Sequence, residues 1–259
     1  MLLRTVTACR YVAPLREGGS LPAVVEGDDD GLYVCKFRGA GQGPDALIAE
    51  LVAGEVARAA GLPVPEIVFV ELPGDLARTE PDAEIQDLIR ASAGLNLALD
   101  YLPGSTMFDP LVDTPDERLA SAVVWLDALV ANVDRTARNP NLLMWHRRLW
   151  LIDHGAALYF HHGDEDYAAR SRAPFPLIRE HVLLPRATRV AQVDVELAAA
   201  LTAERLQAIV AAVPDAWLSA RSTLAPDDRR ARYLAYLTGR LTPPRPFVEE
   251  IDRVRAVHV

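Results

Sequence analysis

The chain has 259 residues, half of them hydrophobic, a net charge of −9 and two cysteines. That length and apolar share suit one large domain or two small lobes around a sizeable core. The acidic balance argues against direct nucleic-acid binding, which depends on neutralising phosphates, and two cysteines give a disulfide framework or a cysteine zinc site nothing to build on.

Cys9 and Cys35 both fall in strand-like runs and are expected to be buried free thiols. No uninterrupted apolar run reaches about 18 residues, so no transmembrane helix is predicted. The start Met1-Leu2-Leu3-Arg4-Thr5-Val6 turns polar too soon for a secretory signal. A cytoplasmic location is therefore expected.

In chain order, residues 5–14 read as a strand, followed by a glycine-rich turn, Leu15 to Ser20. Leu21–Glu26 and Leu32–Arg38 read as strands joined by a hairpin, where Asp30-Gly31 supplies positive φ. In the second of these, Tyr33, Cys35 and Phe37 alternate with Leu32, Val34 and Lys36. A helix is predicted from Pro44, with Leu47, Ile48, Leu51, Val52 and Val56 at helical spacing, stopped by Gly61 and Pro63. Ile67–Leu72 and Leu95–Leu102 read as strands, with residues 73–82 a loop and Pro103-Gly104 closing the second strand. Composition then shifts. Pro115–Val133 is predicted as a long amphipathic helix, followed by a polar loop and two short strands, Leu142–His146 and Leu149–Ile152. Helices are expected near 175–182, 202–212 and 226–240.

Four features carry chemistry. Lys36 stands on a strand at an inward-alternating position, where an ammonium is costly unless an anion meets it. Glu50, on the apolar face of the following helix, is its plausible partner, with Glu55 as rival; such a pair holds a lysine against nucleotide phosphates. In the polar loop Asn132 to Asn141, Asp134 and Asn139 have the Asp-to-Asn spacing of a kinase catalytic loop. There the aspartate accepts the acceptor's proton and the asparagine holds magnesium. Finally, Asp153 follows an apolar strand and precedes His154-Gly155, where a hard carboxylate oxygen suits magnesium beside nucleotide phosphates. Each signal has a bland rival: a snorkelling lysine, a solvated glutamate, or turns rich in Asp and Asn.

Together, and in this order, the residues resemble the HipA-like kinase family, with a catalytic segment also similar to phosphoinositide kinases. The carriers are Lys36 in Tyr33-Val34-Cys35-Lys36-Phe37, Glu50 with Gly61-Leu62-Pro63-Val64-Pro65 after it, Asp134-Arg135 with Asn139, and Asp153. The resemblance covers about residues 10–160. It implies an α+β, bilobal, protein-kinase-like fold. Residues 1–102 would form a β-rich N-lobe with one main helix, and 103–259 a mostly helical C-lobe. ATP would sit in the cleft, Gly18, Gly19 and Ser20 would cover its phosphates, and Asp100, Tyr101 and Leu102 would form the hinge beside adenine.

The resemblance further implies an ATP- and Mg2+-dependent kinase acting on an acceptor expected to be a protein Ser/Thr hydroxyl. A small-molecule or lipid kinase and a nucleotide-binding pseudokinase are the alternatives, and phosphoryl and adenylyl transfer both stay open. No Gly-x-Gly-x-x-Gly occurs in the first hairpin, no His-Arg precedes Asp134 and no phenylalanine follows Asp153, which argues against an ordinary eukaryotic-type protein kinase. Of the remaining candidates, His161-His162 with Asp164, Glu165 and Asp166 reads as an exposed polar loop. Trp125, Trp145 and Trp150 read as packing residues, and Arg170, Arg172, Arg179 and Arg186 as a solvated face.

Overall fold

The computed structural model describes residues 3–15, 21–41, 43–163 and 166–258. Five strands, β1 (Thr5–Pro14), β2 (Ala23–Gly27), β3 (Leu32–Lys36), β4 (Ile67–Leu72) and β5 (Gly94–Asp100), close into a barrel in the order β1-β2-β3-β5-β4. Closure follows because β1 pairs antiparallel with β2 on one side and parallel with β4 on the other. Residue alternation then divides the strand side chains between two cores. Val25, Tyr33, Cys35, Val68, Val70 and Ala98 share one cluster, whereas Ile67, Leu97 and Leu99 join another. In the β2–β3 hairpin the left-handed position falls on Asp30 (φ 61°), not on Gly31.

Helix α1 (Pro44–Ala59) begins at Gly43, whose φ of 66° suits glycine, with Pro44 in its first turn. Gly61 (φ 79°) follows its end. A Cβ on Gly54 would come within 2.6 Å of Ile67 Cδ1, so this glycine lets α1 lie close on β4. Helix α2 (Ala83–Ala91) was not predicted. It is a single amphipathic stretch of two and a half turns, capped by Asp82, whose Oδ1 accepts from the Glu84 N–H at 3.0 Å. Its Ile85 and Ile89 enter the barrel-side core. The strand expected at residues 21–26 starts two residues later and ends one later, and Cys9 is exposed rather than buried; Cys35 is buried.

The rest of the chain holds a small sheet and most of the helices: β6 (Thr106–Met107), α3 (Glu117–Leu129), β7 (Leu142–Trp145), β8 (Arg148–Leu151), α4 (Tyr167–Ser171), α5 (Val190–Ala200), α6 (Ala203–Ala211), α7 (Asp215–Ser219), α8 (Pro226–Leu241) and α9 (Pro246–His258). Strands β6, β7 and β8 form a three-stranded sheet in that order. Asp116 caps α3 by accepting from the Leu119 N–H at 2.9 Å. The helix ends four residues before the predicted Val133, because Ala131 turns left-handed (φ 52°) and the Asn132 N–H folds back to the Asp127 carbonyl at 2.9 Å.

The main core is continuous from α1 through α3 to α9. Trp125 is fully buried in it and packs edge-on against Phe247 at 5.6 Å. Trp145 and Trp150 pack on each other across β7 and β8. No helix among the described residues is long and apolar enough to cross a membrane.

Candidate active site

On β3, Tyr33, Cys35 and Phe37 point into the barrel-side core, so Lys36 emerges on the opposite face, toward α1. Its ammonium lies 3.5 Å from Glu50 Oε2 and 2.6 Å from Asp153 Oδ1. The Lys36 side chain is only 12% exposed, and burial alone would lower its pKa; the Glu50 and Asp153 carboxylates outweigh that and hold it above the usual lysine value. Glu50 is 1% exposed. Burial pushes its pKa up, but the Lys36 charge and contacts with His154 prevail, leaving it at about 2. His154, fully buried, places Nδ1 3.5 Å from Glu50 Oε1. The rival Glu55 is turned toward Arg58, at 3.7 Å.

Asp153 sits in left-handed backbone (φ 52°) just after β8, and its side chain is 39% exposed. The strand end is fixed by two hydrogen bonds: Leu151 N–H to the Pro63 carbonyl at 2.8 Å and Ile152 N–H to the Asn141 carbonyl at 3.1 Å. The first ties Asp153's strand to the segment after α1. The second ties it to the polar loop.

Within that loop Asn139 Nδ2 donates to Asp134 Oδ2 at 2.7 Å, and Asn141 Nδ2 donates to the Asp134 carbonyl at 3.3 Å. Asp134 is half-buried, and its Oδ1 has no protein partner among the described residues. Asn139 donates through its nitrogen, and its amide oxygen accepts no hydrogen bond from the protein among the described residues. An amide oxygen and the part-exposed Asp153 carboxylate are hard oxygen donors of the kind magnesium takes, and magnesium keeps much of its shell as water and phosphate. In donor chemistry the two residues therefore fit such an ion.

Beneath the loop lies a group that the sequence reading missed. Asp127, fully buried on α3, accepts from Asn132 Nδ2 at 3.0 Å, Arg135 Nε at 2.6 Å and His181 Nε2 at 2.9 Å. His181 Nδ1 accepts the Leu183 N–H at 3.0 Å, so Nε2 carries the ring proton and donates to the carboxylate. Burial opposes ionisation of Asp127, but the Arg135 guanidinium and the His181 contact hold it far below the usual carboxylate range. Arg135 also donates to the Asn141 and Ile152 carbonyls, joining the loop to the strand that carries Asp153. A carboxylate inside the apolar run Trp125-Leu126-Asp127-Ala128-Leu129 was the available signal, since such a group needs partners. A second signal was composition: Lys36 is the only lysine, and every other residue among the 27 Lys and Arg is arginine.

Near the expected hinge, the Asp100 N–H donates to the Glu66 carbonyl at 2.8 Å and the Tyr101 N–H to the Leu32 carbonyl at 2.9 Å, while Leu102 is buried. Trp145 Nε1 donates to the Pro103 carbonyl at 2.9 Å, fastening the β7–β8 hairpin there. Gly18, Gly19 and Ser20 lie outside the described residues. The His161-His162 pair is not an exposed loop throughout: His161 is buried and its Nδ1 is 2.9 Å from Tyr233 Oη. Among the four arginines read as a solvated face, Arg172 is committed to the Gly239, Thr242 and Pro244 carbonyls.

The fold is that of a kinase. The crystal structure of the Helicobacter pylori proinflammatory kinase CtkA superposes with a TM-score of 0.58, at 11% identity, over 98% of this chain and 99% of that one. The Golgi casein kinase with Mn/ADP bound aligns at 12% identity over 92% of this chain and 72% of the other, with a TM-score of 0.47. The HipA-like kinase family model matches residues 10–236, and the chain belongs to that family, placing it among kinase-type phosphotransferases. No curated protein matches it.

Proposed function

We propose that this chain is an ATP- and Mg2+-dependent kinase that phosphorylates a hydroxyl, on a protein serine or threonine. The observation that carries the reading is the meeting of Lys36, Glu50 and Asp153 beside a loop in which Asn139 fixes Asp134. In this reading residues 1–102 cover the nucleotide, and residues 103–259 supply the catalytic loop and the metal site. Lys36, steadied by Glu50, meets the α/β-phosphates. Gly18, Gly19 and Ser20 close over the phosphates, and Asp100 to Leu102 border the adenine. Asn139 and Asp153 hold magnesium, which when bound neutralises charge on the phosphate oxygens.

Asp134 acts as the base. Oδ2 is held by Asn139, which leaves Oδ1 to accept the proton of the incoming hydroxyl as the new bond forms. Asp153 is less suited to that task, because its Oδ1 is committed to Lys36 and a carboxylate on magnesium is a poor base. The test is Asp134→Asn, which keeps shape and removes charge. It is expected to bind ATP and magnesium nearly as the parent does and to transfer phosphate slower by about two orders of magnitude or more. Calorimetry and a radiolabelled ATP assay on one preparation, with protein and small-molecule fractions of host lysate as acceptors, check it. Undiminished transfer removes Asp134 as base; label confined to metabolites removes the protein acceptor.

A further inference from the structure

We propose that Arg229 is a positioning residue that holds the Glu50 helix and the segment following Asp153 in a single arrangement, so that the Lys36–Glu50 pair stands assembled in the free protein. The inference rests on the nucleotide-site reading for its significance, but not for its test. It begins from α1, of which 13 of 16 residues are buried, a core helix rather than a surface one. Apolar packing holds such a helix down but tolerates sliding and rotation. Directional buried polar contacts fix its register.

Those contacts gather at the N-terminal end of α1. Asp45, 6% exposed, accepts from Arg229 Nη2 at 3.0 Å. Arg229, 5% exposed and on α8, also donates through Nη1 to the Leu218 carbonyl at 2.9 Å and through Nη2 to Tyr233 Oη at 3.1 Å. The same Tyr233 hydroxyl meets His161, and His162 Nδ1 stands 4.0 Å from the second Asp45 oxygen. Asp45 is five residues before Glu50 on one rigid helix, and His161 is eight residues after Asp153. Both elements that bear on Lys36 therefore end on one guanidinium and one phenol of α8. Trp217 braces the barrel by another route, through an apolar edge contact with Phe69 at 5.6 Å and the bond from its Nε1 to the Leu95 carbonyl at 3.2 Å.

Because Lys36 is the only lysine, its accessibility can be read directly. Trinitrobenzenesulfonate attacks free amines, and peptide mapping separates Lys36 from the N-terminus. Paired and buried, Lys36 should react slowly in the parent. In Arg229→Met and Asp45→Ala, below their melting temperatures and without nucleotide, its modification should quicken by about tenfold, the effect of a modest local opening, and Arg229→Lys should recover part of the protection. Leu237→Ala, a cavity on the same helix, should lower Tm and leave the rate unchanged. If Arg229→Met does not fold, Asp45→Ala and Tyr233→Phe decide. Parent-like rates in the folded variants, or an equal rise in Leu237→Ala, overturn the proposal. Failure of the kinase assay leaves this result intact, so the two readings fall separately.

Discussion

At the scale of single residues, the site separates carboxylates that position from those offered to ligands. Asp134 and Asp153 are partly open, whereas Asp127 is buried with both oxygens hydrogen-bonded and Glu50 is buried between Lys36 and His154, each at 3.5 Å. Their substitutions should differ accordingly. Asp127→Asn leaves the Arg135 guanidinium buried without its counter-charge, and removing one member of a buried pair costs about 3–5 kcal/mol. Asp134→Asn touches a half-buried group and should cost about 1 kcal/mol or less. Urea unfolding of both variants beside the parent checks the contrast. Equal, small losses would show that Asp127 is not the anchor of the loop.

At the scale of elements, α8 braces the end of α3, just before the Asn132–Asn141 loop, as the polar cluster at its start braces α1. Near its end Arg240 Nε and Tyr236 Oη both donate to the Leu129 carbonyl, at 3.2 and 3.1 Å, and Arg240 reaches Ala128 and Ala173 carbonyls as well. The last carbonyls of α3 would otherwise be unsatisfied where the helix breaks at Ala131. The guanidinium also lies over the Phe247 ring, 4.5 Å from its centre. This bracing needs α8 close to α4. A Cβ on Gly239 would fall 2.3 Å from Ser171 Oγ and 2.8 Å from Ser171 Cβ, and the latter cannot rotate away. Gly239→Ala gains about 1 kcal/mol of helix propensity but forces an overpacked contact costing about 1–3 kcal/mol. A net loss is expected, and adding Ser171→Gly should return most of it. A double-mutant cycle on denaturation midpoints measures this, and strict additivity of the two changes would refute the close-approach argument.

At the scale of the whole molecule, stability should fall as the solution is acidified from neutrality, before the carboxylates titrate. His161 is buried with a pKa lowered to about 3, chiefly by burial and then by His162 and Arg229. Burial also lowers His181, with Asp127 opposing. In the unfolded chain both take up protons near pH 6.5, whereas in the native state His161 does so only near pH 3 and His181 less readily than when unfolded. Protons therefore favour unfolding from about pH 6.5 downward, at about 1.4 kcal/mol per pH unit for each fully differential histidine. Loss of net negative charge over the same range works the other way, but diffuse surface repulsion is screened by salt. At lower pH, protonation of Glu50, held at about 2, and of Asp127 removes the stability present above their unfolded values. Unfolding midpoints at pH 7.5 and 5.5 in 0.15 M salt should drop, and His161→Gln should flatten the slope. An unchanged midpoint across that window contradicts the assignment.

The amino-acid sequence by itself determined the elements whose signal is local. The alternation of Tyr33, Cys35 and Phe37 against Lys36, the Pro44 and Gly61 punctuation of α1, and the spacing of Asp134, Asn139 and Asp153 all depend on neighbours in the chain. Periodicity and turn chemistry suffice to read such features. Helices α2, α5, α7 and α9 were not predicted; in the short α2 and α7 the few apolar residues make a helical face only when a barrel or α1 stands opposite. What only the tertiary structure decided is who meets whom. Glu50 faces Lys36 while Glu55 turns toward Arg58, a choice that helical spacing leaves open and only the docking of α1 in the closed fold settles. Asp127 finds His181, 54 residues away, and Asp45 finds Arg229, 184 residues away. A buried charge states in the sequence that it requires a partner. The partner's position is a property of the closed fold, since desolvation creates the demand and only the three-dimensional path of the chain supplies the answer.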